Sequence, residues 1–198
     1  MKQNQKEVWN RIAPEWDEFK TEKDKEVIDF LTKQKGKIID FGCGSGRYLM
    51  KLKNAKMYLI DFSEKMIDLA RNKKIDAKFF VADMIKLPFE NKFFDAAICI
   101  ASLHCIKTSR KREKAIKELF RVLKSKAKCL VGVWNINSKR FKNSSKEKYI
   151  NWRNKGERYY YLYDEKEIHD LFEKNGFEIL KSKNKGMMLY FVVEKPNS

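Results

Sequence analysis

One stretch, Lys37, Ile38, Ile39, Asp40, Phe41, Gly42, Cys43, Gly44, Ser45, Gly46 and Arg47, limits what this chain can fold into more than any other. Ile38, Ile39 and Phe41 read as a short buried strand that runs straight into a glycine-rich turn. Glycines at three alternate positions remove the Cβ atoms where the chain bends, so a bulky ligand can press against the main chain. Residues 47–52 are expected to open a helix whose free N–H groups and dipole point at that ligand. Asp40, closing the strand, adds a negative charge suited to a cationic or amine-bearing group. A dinucleotide fingerprint would need its third glycine where Arg47 stands, and an acid ahead of the glycines repels pyrophosphate. Taken alone, the stretch equally suits a plain strand-to-helix turn.

A strand–helix beat follows. Strands are expected over residues 56–60, 77–81, 96–101 and 129–134, with helices over 63–71, where Ser63 caps, and 110–123. The nearly all-apolar run at 96–101 is what burial on both faces requires. A helix over 165–174 and two strands joined by a turn at 184–186 give the sheet an antiparallel end. This alternation predicts an α/β fold: a Rossmann-like, seven-stranded, mostly parallel sheet with helices on both faces and an antiparallel C-terminal strand. Its ligand site falls at the carboxyl ends of the strands. At 198 residues the chain suits one domain. Residues 1–35 precede the first strand and form a helical region with Trp9, Trp16 and Phe19 as anchors, placed to fold over the ligand crevice as a lid or simply to pack.

The formal charge of +17 favours a polyanionic partner, although lysines spread along the whole chain also suit a solvated surface. The longest apolar run is too short to cross a bilayer, and no secretory leader is legible. Cys43, Cys99, Cys105 and Cys129 make no C-x-x-C pair, which points to a reduced, cytoplasmic protein with neither disulfides nor a metal of its own. Residues 135–163 interrupt the beat: Lys139, Arg140, Lys142, Arg153 and Arg158 alternate with Phe141, Tyr149, Trp152, Tyr159, Tyr160 and Tyr161. Such interleaving suits single-stranded nucleic acid, with charge for phosphates and rings for bases. It equally suits a solvated insertion that docks through its aromatics.

Three acids, Asp40, Asp61 and Asp83, fall at the carboxyl ends of three successive strands. An acid after the second strand can accept both hydroxyls of a ribose. One after the third can take an adenine amino group, with Phe62 and Met84 packing the ring. Together with Leu87-Pro88-Phe89, Phe94-Asp95-Ala96 and the helix ending Arg121-Val122-Leu123-Lys124, this set resembles the class I S-adenosylmethionine-dependent methyltransferases. The resemblance implies S-adenosylmethionine as methyl donor, held by Asp40, Gly42, Gly44, Gly46, Asp61, Phe62, Asp83, Met84 and Ala101. Ser125-Lys126-Ala127-Lys128 replaces that family's usual Pro-Gly-Gly turn.

Residues 8–14 (VWNRIAP), 100–104 (IASLH), 109–112 (SRKR) and 158–161 (RYYY) narrow the resemblance to the tRNA methyltransferases that esterify 5-carboxymethyluridine at the wobble position. His104, Arg110 and Arg112 are the catalytic-site expectations, as groups that fix the acceptor carboxylate or a nearby phosphate. The family has a second histidine where Cys105 stands, so no role passes to that position. The resemblance also implies tRNA, rather than DNA or a membrane, as macromolecular partner. A small zinc-bearing activator protein is expected to add a strand beside residues 77–81, where Ala77, Phe79, Phe80 and Val81 make an apolar edge. The competing readings are a small-molecule methyltransferase of the same fold and a non-catalytic RNA-binding subunit.

Overall fold

A computed structural model describes residues 3–197. Two helices come first, α1 (Gln5–Phe19) and α2 (Lys25–Leu31). The alternating part follows as β1 (Gly36–Phe41), β2 (Ala55–Asp61), α3 (Glu64–Asn72), β3 (Lys78–Val81), β4 (Phe94–Ile100), α4 (Ser109–Val122) and β5 (Leu123–Trp134). A hairpin of β6 (Glu147–Asn151) and β7 (Glu157–Tyr161) precedes α5 (Glu165–Glu173), β8 (Glu178–Lys185) and β9 (Met188–Glu194). The sheet order is β3-β2-β1-β4-β5-β9-β8, and only β9 runs against its neighbours. The seven-stranded, mostly parallel sheet is therefore the one expected. Its chain path reverses direction between β1 and β4, where a ligand crevice forms in such sheets.

The period of two along each strand sorts the core. Ile39, Ala97, Cys129 and Val131 face Ile116, Leu119 and Phe172 of α4 and α5. Ile38, Ala96, Ile98 and Leu130 face Val27, Leu31, Ile67 and Ala70 of α2 and α3. Helix starts carry their own caps: Ser63 Oγ accepts from Met66 N–H, Thr108 from Lys111 N–H, and Asp164 from Glu167 N–H. Among the described residues no helix is long and apolar enough to cross a membrane.

One expectation is corrected, and one choice left open is decided. Residues 47–52 form no helix; turns closed by Gly46 N–H to Cys43 O (3.0 Å) and Leu49 N–H to Gly46 O (3.1 Å) lead directly towards β2. Glycines in the left-handed region at 42, 44 and 46 keep the chain out of right-handed helix, so no helix dipole faces the crevice there. The interruption at 135–163 contains the ordered hairpin, and Phe141, Trp152, Tyr159 and Tyr160 are buried. Trp152 lies 5.2 Å from both Trp16 and Phe19, and Trp134 stacks on Tyr160 at 4.2 Å. Phe141, Trp152 and Tyr159 are thus taken up in packing and are not open to bases.

Helix α1 is stitched to both neighbours. Asn10 Oδ1 accepts from Ser63 Oγ (2.6 Å), which seats α1 on the start of α3. Gln5 pairs with the hairpin backbone at Glu157 O and Tyr159 N–H, and Arg11 donates to Lys155 O. Helix and hairpin thus form one wall.

Candidate active site

At the carboxyl ends of β1, β2 and β4 lies a cavity of about 700 Å³. One side is built from sheet ends. Gly42 has φ +87°, and an added Cβ would stand 2.4 Å from Ser102 Cβ. Ser102 in turn donates from Oγ to Phe41 O (2.8 Å), locking the turn against the end of β4. Gly44 differs: at φ +54° an added Cβ would meet no protein atom within 4 Å. Since Gly44 lines the cavity, a side chain there would stand in ligand space.

Asp61 ends β2 and lines the cavity. Its carboxylate accepts from Gly44 N–H and Ser63 N–H, each at 2.9 Å, so one acid holds the glycine turn and the start of α3 together. Burial pushes its pKa up to about 6, and the amide donors limit that rise. Asp83 lies two residues beyond β3, exposed at the rim, with Oδ1 accepting from Ile85 N–H. Phe62, Met84 and Ala101 line the cavity beside them.

Two expected contacts stand back from it. Asp40 is 2% exposed and does not line the cavity, and its Oδ2 has no partner among the described residues. Burial raises its pKa to about 7; Arg47 works against that rise and Asp61 adds to it. Gly46 packs towards α3, where an added Cβ would meet Ala70 Cβ at 3.1 Å.

His104 is 1% exposed and lines the cavity. Its Nδ1 accepts from Trp134 N–H (3.0 Å), and its ring lies against Trp134 and Tyr160. An Nδ1 that accepts leaves the proton on Nε2. Burial holds the pKa down at about 3, so near neutral pH the ring is an uncharged donor.

Neither expected arginine reaches the cavity. Arg110 is exposed in the first turn of α4. Arg112 is 5% exposed on the core face, donating to Ile106 O (3.0 Å), with its Cζ 3.8 Å from the centre of the Tyr161 ring. The reason is helical phase: Arg112 continues the buried spacing of Ala115, Ile116 and Leu119. Lys111, between the two arginines, is the residue of this turn that lines the cavity. Sequence reasoning also missed Lys20, Arg47 and Tyr190 as lining residues, and it used Trp9 and Trp16 only as anchors. The cavity side of Lys111 was readable from that same phase. Tyr190, whose Oη donates to Asp24 Oδ2 at 2.6 Å, is brought in by topology alone.

A family profile described as "Methyltransferase domain" matches residues 39–131. The tRNA (carboxymethyluridine(34)-5-O)-methyltransferase of Xenopus tropicalis is 38% identical over 122 residues, covering 61% of this chain and 19% of that protein. A protein of Encephalitozoon cuniculi classed as a methyltransferase is 31% identical over 168 residues, 80% of this chain and 78% of its own length. The chain spans only 19% to 31% of the first three curated relatives. Among solved structures, a SAM-dependent methyltransferase of Methanosarcina mazei superposes with TM-score 0.72 at 24% identity, covering 86% of this chain and 98% of that one. A chain from the complex between the Haloferax volcanii Trm112 methyltransferase activator and a methyltransferase gives TM-score 0.77 at 15% identity, covering 98% and 97%.

Proposed function

This chain belongs to the S-adenosylmethionine-dependent methyltransferases of the class I fold, and on that premise we propose that it esterifies the carboxylate of 5-carboxymethyluridine at the wobble position of tRNA. The observation that carries this reading is the 38% identity to the Xenopus carboxymethyluridine methyltransferase. The cavity suits the donor on its own evidence, through the open space at Gly44 and the tethered carboxylate of Asp61. In this reading Asp61 takes the ribose hydroxyls and Asp83 the adenine amino group. Phe62, Met84 and Ala101 pack the base, Gly42 and Gly44 leave room at the turn, Gly46 seats that turn on α3, and Asp40 acts from behind as a negative charge. S-adenosylmethionine, when bound, supplies the methyl group.

The chain's own task is small in chemical terms. A carboxylate acceptor is ionised near neutral pH, so no strong base is needed. The residues have to align an acceptor oxygen and exclude water. His104, held neutral, donates from Nε2–H to that oxygen. The wall of α1 and the hairpin serves as a lid over the acceptor, and Lys107 and Lys111 at the cavity receive the RNA backbone. A zinc-bearing activator adds a strand to β3. That strand lies at the sheet edge, its Val81 is 41% exposed, and a chain solved with an activator shares this fold. The enzyme then works in the cytoplasm on tRNA.

The test supplies labelled methyl donor, the activator and tRNA bearing carboxymethyluridine. Mild alkali is expected to release the label as methanol, because esters hydrolyse where N-, C- and ether-linked methyl groups do not. Label that survives alkali, or that reaches small molecules in the absence of RNA, overturns the reading.

A further inference from the structure

Arg158, on β7, is a cation with no counter-ion among the described residues. It is 5% exposed, and its only described hydrogen bond runs from Nη1 to Tyr160 Oη (2.6 Å). Its Nε is buried with no partner among the described residues. Aromatic rings surround it instead: Cζ lies 4.8 Å from the centre of Trp152, 4.9 Å from Trp16 and 5.2 Å from Tyr160. Glu15, the acid beside Trp152, is engaged by Lys155 and Arg153. Ring faces attract a guanidinium, but they leave its forked donors unused and only partly offset the cost of desolvation.

Its position suggests what would complete it. Trp16 and Tyr160, two of the rings that hold it, line the cavity, as does His104, whose ring lies 5.5 Å from that of Tyr160. Lys20 also lines the cavity, and its Nζ stands 5.9 Å from the centre of the same Trp16 ring. Burial holds the Lys20 pKa down, and so do Arg47, Arg140 and Arg158, with Glu22 acting against them. Lys20 and Arg47 thus bring positive charge to the cavity lining, with Arg140 and Arg158 acting on Lys20 from outside that lining.

We infer that Arg158 and Lys20, both held against the Trp16 ring, form a subsite for the acceptor's carboxylate, reached when Trp16 swings aside. The inference rests on the carboxylate-methylating reading above and gives it a specificity determinant. Arg158 supplies a planar fork matched to a carboxylate. Lys20 supplies the outer charge that draws the group in. His104, whose ring also lies against Tyr160, offers Nε2–H to orient the acceptor. A neutral carbamoylmethyl group in place of the carboxymethyl group would leave the guanidinium unpaired, so the subsite discriminates between two nucleosides of nearly the same shape.

The experiment uses the full chain with its activator and anticodon stem-loop RNAs that carry either carboxymethyluridine or carbamoylmethyluridine. Binding of both RNAs, binding of S-adenosylhomocysteine and methyl transfer are measured for wild type, Arg158→Gln, Arg158→Lys and Lys20→Gln. Wild type is expected to prefer the carboxylate RNA by about tenfold or more. Arg158→Gln should bring that preference close to one, Arg158→Lys should restore part of it, and Lys20→Gln should reduce it several-fold. S-adenosylhomocysteine affinity should stay within about twofold throughout. Three outcomes overturn the inference: an equal loss for both RNAs, which places a backbone phosphate here; a loss of S-adenosylhomocysteine affinity, which places the donor's carboxylate here; or an unchanged preference. Should Arg158→Gln fail to fold, Lys20→Gln at the outer position decides by the same ratio. If wild type transfers no alkali-labile methyl group at all, the functional reading fails, which is a different result from transfer that ignores these substitutions.

Discussion

The two walls of the cavity are built on different principles. The sheet-end wall consists of main chain and short acids: Gly42, Gly44, Asp61 and Asp83, each no more than three residues from a strand end, with the Asp61 carboxylate tying the glycine turn to the start of α3. The facing wall consists of large rings and a long cation, with Trp9, Trp16, Lys20 and Tyr160 lining the cavity and Trp152 and Arg158 packed behind Trp16. The first wall shapes a site by leaving side chains out. The second shapes one by filling space. A wall of the first kind tolerates almost no added atom, whereas a wall of the second kind can repack, because rings that touch one another can shift together.

The sharpest way to break the comparison is to place a side chain on the sheet-end wall. Gly44→Val should cost about 1–2 kcal/mol for a side chain at φ +54°, with no clash against the protein. Its isopropyl group would occupy the donor's space, so S-adenosylhomocysteine affinity should fall by about 100-fold or more while the far-ultraviolet circular dichroism is retained. Calorimetry measures the first and a thermal melt the second. Unchanged affinity in a folded variant would place the donor elsewhere.

On the facing wall the expected loss is smaller and of another kind. Trp16→Ala removes a ring that packs on Trp9 and Trp152 and covers Arg158. Acceptor KM should rise by about tenfold to thirtyfold while donor affinity changes by less than about threefold, a split that steady-state kinetics with each substrate varied can resolve. An equal loss for both substrates would mean that the two walls act as one.

The same contrast explains what could be read without coordinates. A left-handed turn beside a ligand demands glycine, and a ribose site at a strand end suits a short acid. The residue types at 40–46, 61 and 83 therefore carried their own geometry, and β1 to β5 followed from period-two burial. Glycine spacing by itself reads as a helix start at 47–52, whereas left-handed φ values at Gly42, Gly44 and Gly46 make turns of residues 42–46 and no helix follows them. The facing wall had no local signature. The contact of Trp16 with Trp152 depends on how α1 docks, which Asn10 decides by capturing the cap of α3. The rings at 141–160 were legible as unusual, and their burial was not, because a buried ring and a stacking ring look the same in sequence.

A third test asks whether Asp40, behind the sheet-end wall, acts on the donor by charge. Its pKa is about 7 in the free protein. If the donor's cationic sulfonium and ammonium groups favour ionised Asp40, affinity should rise by up to about tenfold between pH 6 and pH 8, the change in the ionised fraction. Asp40→Asn should flatten that slope, leaving the smaller contribution of Asp61, which titrates near pH 6. The same shift carries a stability sign. Between about pH 4 and pH 7 the native state keeps a proton that the unfolded chain has released, so stability falls as pH rises through that window. The Asn variant removes this fall as well. A pH-independent affinity in wild type would reduce Asp40 to a packing role.

The smallest effects separate the two arginines of α4, which stand outside both walls. Arg112→Ala leaves the carbonyl of Ile106 and the hydroxyl of Tyr159 without their donor and should cost about 1–3 kcal/mol, seen as a lower Tm with donor and acceptor KM unchanged. Arg110→Ala, on the exposed face, should leave Tm unaltered and weaken RNA binding by no more than about twofold, through the loss of one distant positive charge. A tenfold rise in acceptor KM for Arg112→Ala at unchanged Tm would show that the acceptor reaches past the ring wall to the core face of α4. The division between a wall that excludes side chains and a wall that stacks them would then no longer describe the whole site.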